Sequence, residues 1–97
     1  MDSRVTASRV GTALPVSLSA LRPGATATIV RVGSATALGP LETRLLELGF
    51  ISGETVEVVA EARPGRDPFV VRVGSTTFAL RRAEAQNVWV EDAHNPQ

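Results

Sequence analysis

Leu38-Gly39-Pro40-Leu41-Glu42-Thr43-Arg44-Leu45-Leu46-Glu47-Leu48-Gly49-Phe50-Ile51-Ser52-Gly53 is the stretch that decides the architecture. Leu38, Leu41, Leu45 and Leu48 recur at spacings of three and four, which places them on one face of a helix. Pro40 suits a first helical turn, where its missing N–H is not needed, and Gly49 can take the left-handed conformation that ends a helix. The helix therefore has a start, a stop and an apolar face that something else must cover. Beyond the Ser52-Gly53 turn the pattern changes from helical to alternating, so one helix hands over to a sheet.

The alternation is clear in Glu54-Thr55-Val56-Glu57-Val58-Val59-Ala60-Glu61, a half-buried strand with Val56, Val58 and Ala60 facing inward. Ala62 to Pro68 carries Pro64, Gly65 and Pro68 and is an exposed connection. Phe69-Val70-Val71-Arg72-Val73 and Thr76-Thr77-Phe78-Ala79-Leu80 are two strands separated by Gly74-Ser75, the spacing of a tight hairpin. Arg81 to Ala85 reads as one helical turn, and Val88-Trp89-Val90-Glu91 as a last short strand. Upstream, Ala25 to Gly33 is a strand rich in β-branched residues, with Ala25, Ala27, Ile29 and Arg31 on one face and Thr26, Thr28, Val30 and Val32 on the other. Before it, Ser17 or Ser19 is placed to cap a single turn that tucks in Leu18 and Leu21, closed by Arg22-Pro23-Gly24.

The expectation is a mostly β domain over residues 14–91, preceded by a disordered leader (1–13) and followed by a flexible tail (92–97). Five short strands with tight connections avoid open edges by curling into a small antiparallel barrel of the SH3-like or OB kind, with the helix inserted after the first strand to cap one opening. A chain of 97 residues, 43% hydrophobic, supports one modest core. Its stability should be on the order of 5 to 10 kcal/mol.

Composition removes several functions. Ten basic and ten acidic residues cancel, with no block of like charge, which argues against nucleic acid or an anionic membrane surface as the main partner. Without cysteine there is no disulfide, thiolate metal site or thiol nucleophile. No apolar run approaches the roughly 20 residues that span a bilayer, and no secretory h-region follows Met1-Asp2-Ser3-Arg4, so the expected address is the cytoplasm. His94 stands alone, and Glu42 and Glu47, about 140 degrees apart around the helix, do not converge on one ion; no metal or cofactor site is expected. His94 also lacks a Ser or Asp constellation, so no catalytic residue is assigned and the chain is not read as an enzyme. Phe50, Phe69 and Phe78 suit a core better than base stacking. Trp89 reads either as a core plug or as an interface anchor.

The residues Leu18-Ser19-Ala20-Leu21-Arg22-Pro23-Gly24, Arg44 to Gly53, Asp67-Pro68-Phe69-Val70-Val71 and Ala79-Leu80-Arg81-Arg82-Ala83-Glu84-Ala85, in this order and spacing, resemble the FeoA domain family over about residues 16 to 91. Ser52 departs from the family pattern, which usually has Pro before that Gly. The resemblance implies an SH3-like barrel without enzymatic activity that supports ferrous-iron uptake by contacting the cytoplasmic GTPase part of the FeoB transporter, which would recruit it to the inner face of the membrane. A relative with the same barrel is the C-terminal module of iron-dependent transcriptional repressors, and a regulatory module of that kind is the competing function. A third reading is weak self-association through edge strands.

Four residues are the candidates for partner contact. Leu46 lies roughly 130 degrees from the centre of the inward stripe, so it is either exposed or covered by something outside the barrel. Arg44, on the helix flank, either pairs with Glu42 or Glu47 on the surface or meets a partner's charge. Arg63 and Arg66, in the Pro/Gly loop, are ordinary surface arginines or, against a GTP-hydrolysing partner, a finger that stabilises charge on the transferring phosphoryl group.

Overall fold

The structure, a computed structural model, describes residues 15–33, 39–62, 65 and 67–94. The chain order is β1 (Val16–Ser17), a 3-10 turn (Leu18–Ala20), β2 (Thr26–Val32), α1 (Pro40–Leu48), β3 (Thr55–Glu61), β4 (Phe69–Val73), β5 (Thr76–Leu80), α2 (Arg82–Gln86) and β6 (Val88–His94). The strands form one antiparallel sheet in the order β1-β6-β2-β3-β4-β5. It curls into a small barrel around Leu18, Leu21, Ala27, Ile29, Phe50, Val56, Val58, Phe69, Val71, Leu80, Val88 and Val90, all buried. No described helix is long and apolar enough to cross a membrane.

Among the described residues there are six strands rather than five. The addition is the two-residue β1, whose Val16 lies opposite Val90 and Ser17 opposite Trp89. The turn that follows is capped by Ser17, whose hydroxyl oxygen accepts from the Ser19 N–H at 3.2 Å and donates to the Ala85 carbonyl at 3.3 Å. One serine thus joins the start of the barrel to α2.

Three bulges explain where simple alternation misleads, because one extra residue exchanges the two faces of everything beyond it. On β3 the extra residue falls between Val58 and Ala60, so Val59 and Ala60 are both exposed and Ala60 does not face inward. On β2 a shift between Ile29 and Arg31 brings Val32 into the core and turns Arg31 out. On β6 a shift centred on Asp92, whose φ is 54°, carries the strand on to His94 opposite Thr26. Asp92, Ala93 and His94 therefore belong to the sheet and not to a tail. The expected leader 1–13 and residues 95–97 lie outside the described residues.

The helix packs as its spacing requires. Leu45 is buried, Leu41 and Leu48 are half-buried against the core, and Leu38 lies outside the described residues. At the C-terminus Gly49, at φ 114°, lets its own N–H reach Leu46 O and the Phe50 N–H reach Leu45 O, both at 3.0 Å. That reversal drives Phe50 into the core, where its ring lies 5.4 Å from Phe78.

At the N-terminus, where Gly39 has no side chain to offer, the Glu42 carboxylate accepts from the Gly39 N–H at 2.9 Å. Glu42 in turn leans on Gly33, at φ 63°, where an added Cβ would lie 2.4 Å from Glu42 Cγ. The Gly33 N–H donates to Asn87 O at 2.7 Å, so the end of β2, the start of α1 and the end of α2 meet at one point.

Candidate functional site

Among the described residues three large apolar side chains are exposed, and the most exposed of them sits just after α1. Ile51 is 50% exposed immediately after the helix, ahead of Val16 at 40% and Val59 at 37%. It follows Leu46 and Leu48, both half-buried against the core, so the end of α1 and the residues just after it keep some apolar surface exposed. The Gly49 reversal creates this surface, since it sends Phe50 inward and therefore its chain neighbour Ile51 outward.

The expected contact residues are placed unequally. Leu46 is neither fully exposed nor clear of the barrel: it packs half-buried against the core cluster and offers a partner only its remaining surface. Arg44 is exposed on the helix and makes no ion pair with Glu42 or Glu47, Glu42 being committed to the Gly39 N–H. Arg63 and Arg66 lie outside the described residues. The described residues near them, Gly65 and Asp67, both bond to Arg82. The Arg82 guanidinium donates to Gly65 O, and the Arg82 N–H donates to Asp67 Oδ1 at 3.0 Å.

The Arg82 guanidinium carbon also lies 5.9 Å from the centroid of the buried Phe69 ring. Sequence reading missed both Arg82 and Ile51. For Ile51 the signal was available, because a residue following a buried aromatic directly after a glycine stop faces the other way. For Arg82 nothing local in the sequence marks the contact, which spans 17 residues.

Other groups on the described surface are accounted for. A depression of about 310 Å³ is lined by Thr26, Glu54, Thr55, Glu57 and Arg72 among others, but its Arg72 and Glu57 are paired with each other at 2.8 Å. Trp89 is half-buried on the outer side of β6, between buried Val88 and Val90, with the Arg31 guanidinium 5.4 Å from its ring. It is not a core plug. Among the described residues no three His, Asp or Glu side chains come together to hold an ion.

Comparison with known proteins adds identity to this geometry. The sequence profile of the FeoA domain matches residues 16–92. A Porphyromonas gingivalis Fe(2+) transport protein A/Fe(2+) transporter FeoB fusion protein is 40% identical over 74 residues, which cover 76% of this chain and 8% of that protein, so the chain spans a small part of that relative's length.

Among solved structures, Stenotrophomonas maltophilia FeoA in complex with zinc, described as a procaryotic SH3 domain protein, is 38% identical with a TM-score of 0.73, covering 82% of this chain and 96% of that one. A manganese-dependent transcriptional repressor is 26% identical with a TM-score of 0.67, over 79% of this chain and 41% of that one. The SH3-like barrel capped by one helix, matched by the family profile across all six strands save the last two residues of β6, has one conclusion: the chain belongs to the FeoA domain family, whose members are linked to ferrous-iron transport.

Proposed function

We propose that this chain is a non-catalytic accessory of ferrous-iron uptake that docks on the cytoplasmic GTPase portion of a FeoB-type transporter, at the inner face of the membrane, through the C-terminal end of α1. The observation that carries the reading is the relative whose name joins Fe(2+) transport protein A and FeoB in one polypeptide. A covalent link keeps two portions at high effective concentration. Where the two are separate chains, a surface has to supply the contact, and Ile51, exposed just after α1, offers the apolar centre of one, with the uncovered part of Leu46 as a further candidate. Arg44, exposed on the same helix, is the proposed polar contact. Arg63 and Arg66, next to Gly65 and Asp67 that bond to Arg82, are the proposed arginines that would approach bound nucleotide.

Calorimetric titration against the GTPase portion of the FeoB from the same source, with GTP hydrolysis followed in parallel, tests this. Ile51→Asp is the informative variant, because a half-exposed side chain can be changed with a stability effect of about 0.5 kcal/mol or less. Leu46→Asp is expected to weaken both docking and folding, since it places a charge against the core. Docking lost in Ile51→Asp with unchanged melting supports the helix surface, and slower hydrolysis in Arg63→Ala or Arg66→Ala supports the finger. No binding with any nucleotide overturns the proposal.

A second reading rests on the repressor with the same barrel at 26% identity: a regulatory module that works by contact within a larger metal-responsive protein. It predicts no affinity for the GTPase portion.

A further inference from the structure

The strand β5 is the long open edge of the sheet. In the order β1-β6-β2-β3-β4-β5 its sheet neighbour is β4, and the opposite end is the two-residue β1. The hairpin register is Val73↔Thr76, Arg72↔Thr77, Val71↔Phe78, Val70↔Ala79 and Phe69↔Leu80 across a two-residue turn, so Val73 and Thr76 form the closing hydrogen-bonded pair. Thr76, Phe78 and Leu80 therefore turn their backbone groups to β4, while Thr77 and Ala79 turn theirs away from the sheet. No described element outside β4 hydrogen-bonds to Thr77 or Ala79, and both side chains are exposed.

Natural edges of this length are usually blunted by a Lys, a Pro or a bulge. Thr76-Thr77-Phe78-Ala79-Leu80 contains no charge and no proline, and its pairing with β4 runs without a register shift, unlike β2–β6 and β3–β4.

We propose that β5 pairs antiparallel with β5 of a second copy of this chain, about a two-fold axis at Phe78, joining two barrels through one continuous sheet. The proposal is independent of docking on a transporter. The edge is self-complementary in each respect that an isologous contact requires. With the axis at Phe78, Thr77 of one copy lies opposite Ala79 of the other, and these are the residues whose N–H and C=O groups point outward, so two such pairs give four hydrogen bonds. Phe78 meets the second Phe78 at a non-hydrogen-bonded position, where facing side chains are closest.

Phe78 is half-buried on the inner side with Phe50 behind it, so the second ring would cover the part that its own barrel leaves open. On the outer side small Thr77 and Ala79 meet without crowding. At the ends of the seam Arg81 falls opposite Ser75, so no like charges face each other. Five residues a side place the contact at the small end of protein interfaces, so the dimer is weak and appears as concentration rises.

Sedimentation equilibrium of the full chain from micromolar to millimolar concentration tests this, with amide exchange at Thr77 and Ala79 as the local readout. The expected result is reversible dimerisation with both amides protected at high concentration and exposed at low. Thr77→Lys/Ala79→Lys sets Lys opposite Lys in both pairs and should weaken association tenfold or more. Thr77→Lys/Ala79→Glu sets Lys opposite Glu in the same register and should restore it. Ala79→Pro removes an outward N–H while sparing the bonds to β4, and should abolish pairing at unchanged melting. A monomer at every concentration, a dimer indifferent to the charge swap, or a dimer in which the two amides stay unprotected overturns the proposal.

Discussion

Replacing Gly33 by alanine tests the junction between β2 and α1. The new Cβ would stand 2.4 Å from Glu42 Cγ on a backbone held at φ 63°. Left-handed backbone costs an alanine about 1 to 2 kcal/mol, and the stiffer unfolded chain returns about 0.4 to 1 of that. The rest comes from Glu42, which must swing away and release the Gly39 N–H that it accepts at 2.9 Å. A hydrogen bond to an ionised carboxylate at a helix N-terminus contributes about 1 to 1.5 kcal/mol.

Gly33→Ala should therefore cost about 2 kcal/mol, a fall in Tm of roughly 8 to 16 °C for a domain of this size. Glu42→Ala alone should cost about 1 to 1.5 kcal/mol. If the close approach is the cause, the double variant should cost about 2 rather than about 3 kcal/mol, because shortening residue 42 removes the clash. Urea unfolding and calorimetry of the four proteins give the cycle. Strict additivity would refute the idea that Glu42 is what the Gly33 site must clear.

Three further outcomes follow from the packing. Leu45→Ala, at a side chain only 1% exposed, should cost about 2 to 5 kcal/mol and leave a visible unfolded fraction at 37 °C by circular dichroism. Ser17→Ala should cost about 1 kcal/mol by urea unfolding, and should raise amide exchange at Ser19, whose N–H loses its acceptor. Glu57→Gln breaks the Arg72–Glu57 pair, whose side chains are 45% and 38% exposed; it should move stability by less than about 1 kcal/mol, with no salt dependence left at that site.

Features written in local chemistry were legible. The glycine stop at Gly49, the Gly74-Ser75 hairpin and a serine cap at Ser17 or Ser19 each follow from two or three adjacent residues, and the structure has all three, the cap being Ser17. The bulges were not legible, because an extra residue at Val59, near Val30 or at Asp92 is decided by what lies on the neighbouring strand and leaves no local mark. Hence simple alternation puts Ala60 on the wrong face and ends β6 three residues short. The candidate surface divides in the same way. Spacing puts Leu46 off the helix stripe and so exposed or covered from outside the barrel, whereas it packs half-buried against the barrel's own core cluster. Arg82 became visible only when the fold brought α2 beside the β3–β4 connection.

The position of β6 between β1 and β2 also sets a timetable. A nascent chain leaving the ribosome can zip β2 to β5 as they appear, since each pairs with its neighbour in sequence. The sixth strand is the exception: it emerges last and takes an interior place, so until Val88 is synthesised β1 has no partner and β2 shows a raw edge. Productive folding therefore waits on one late, long-range event, the slow kind in which closure entropy precedes any reward. Until that event the meander β2 to β5 stands with both flanks unpaired, the kind of species that edge-to-edge pairing threatens.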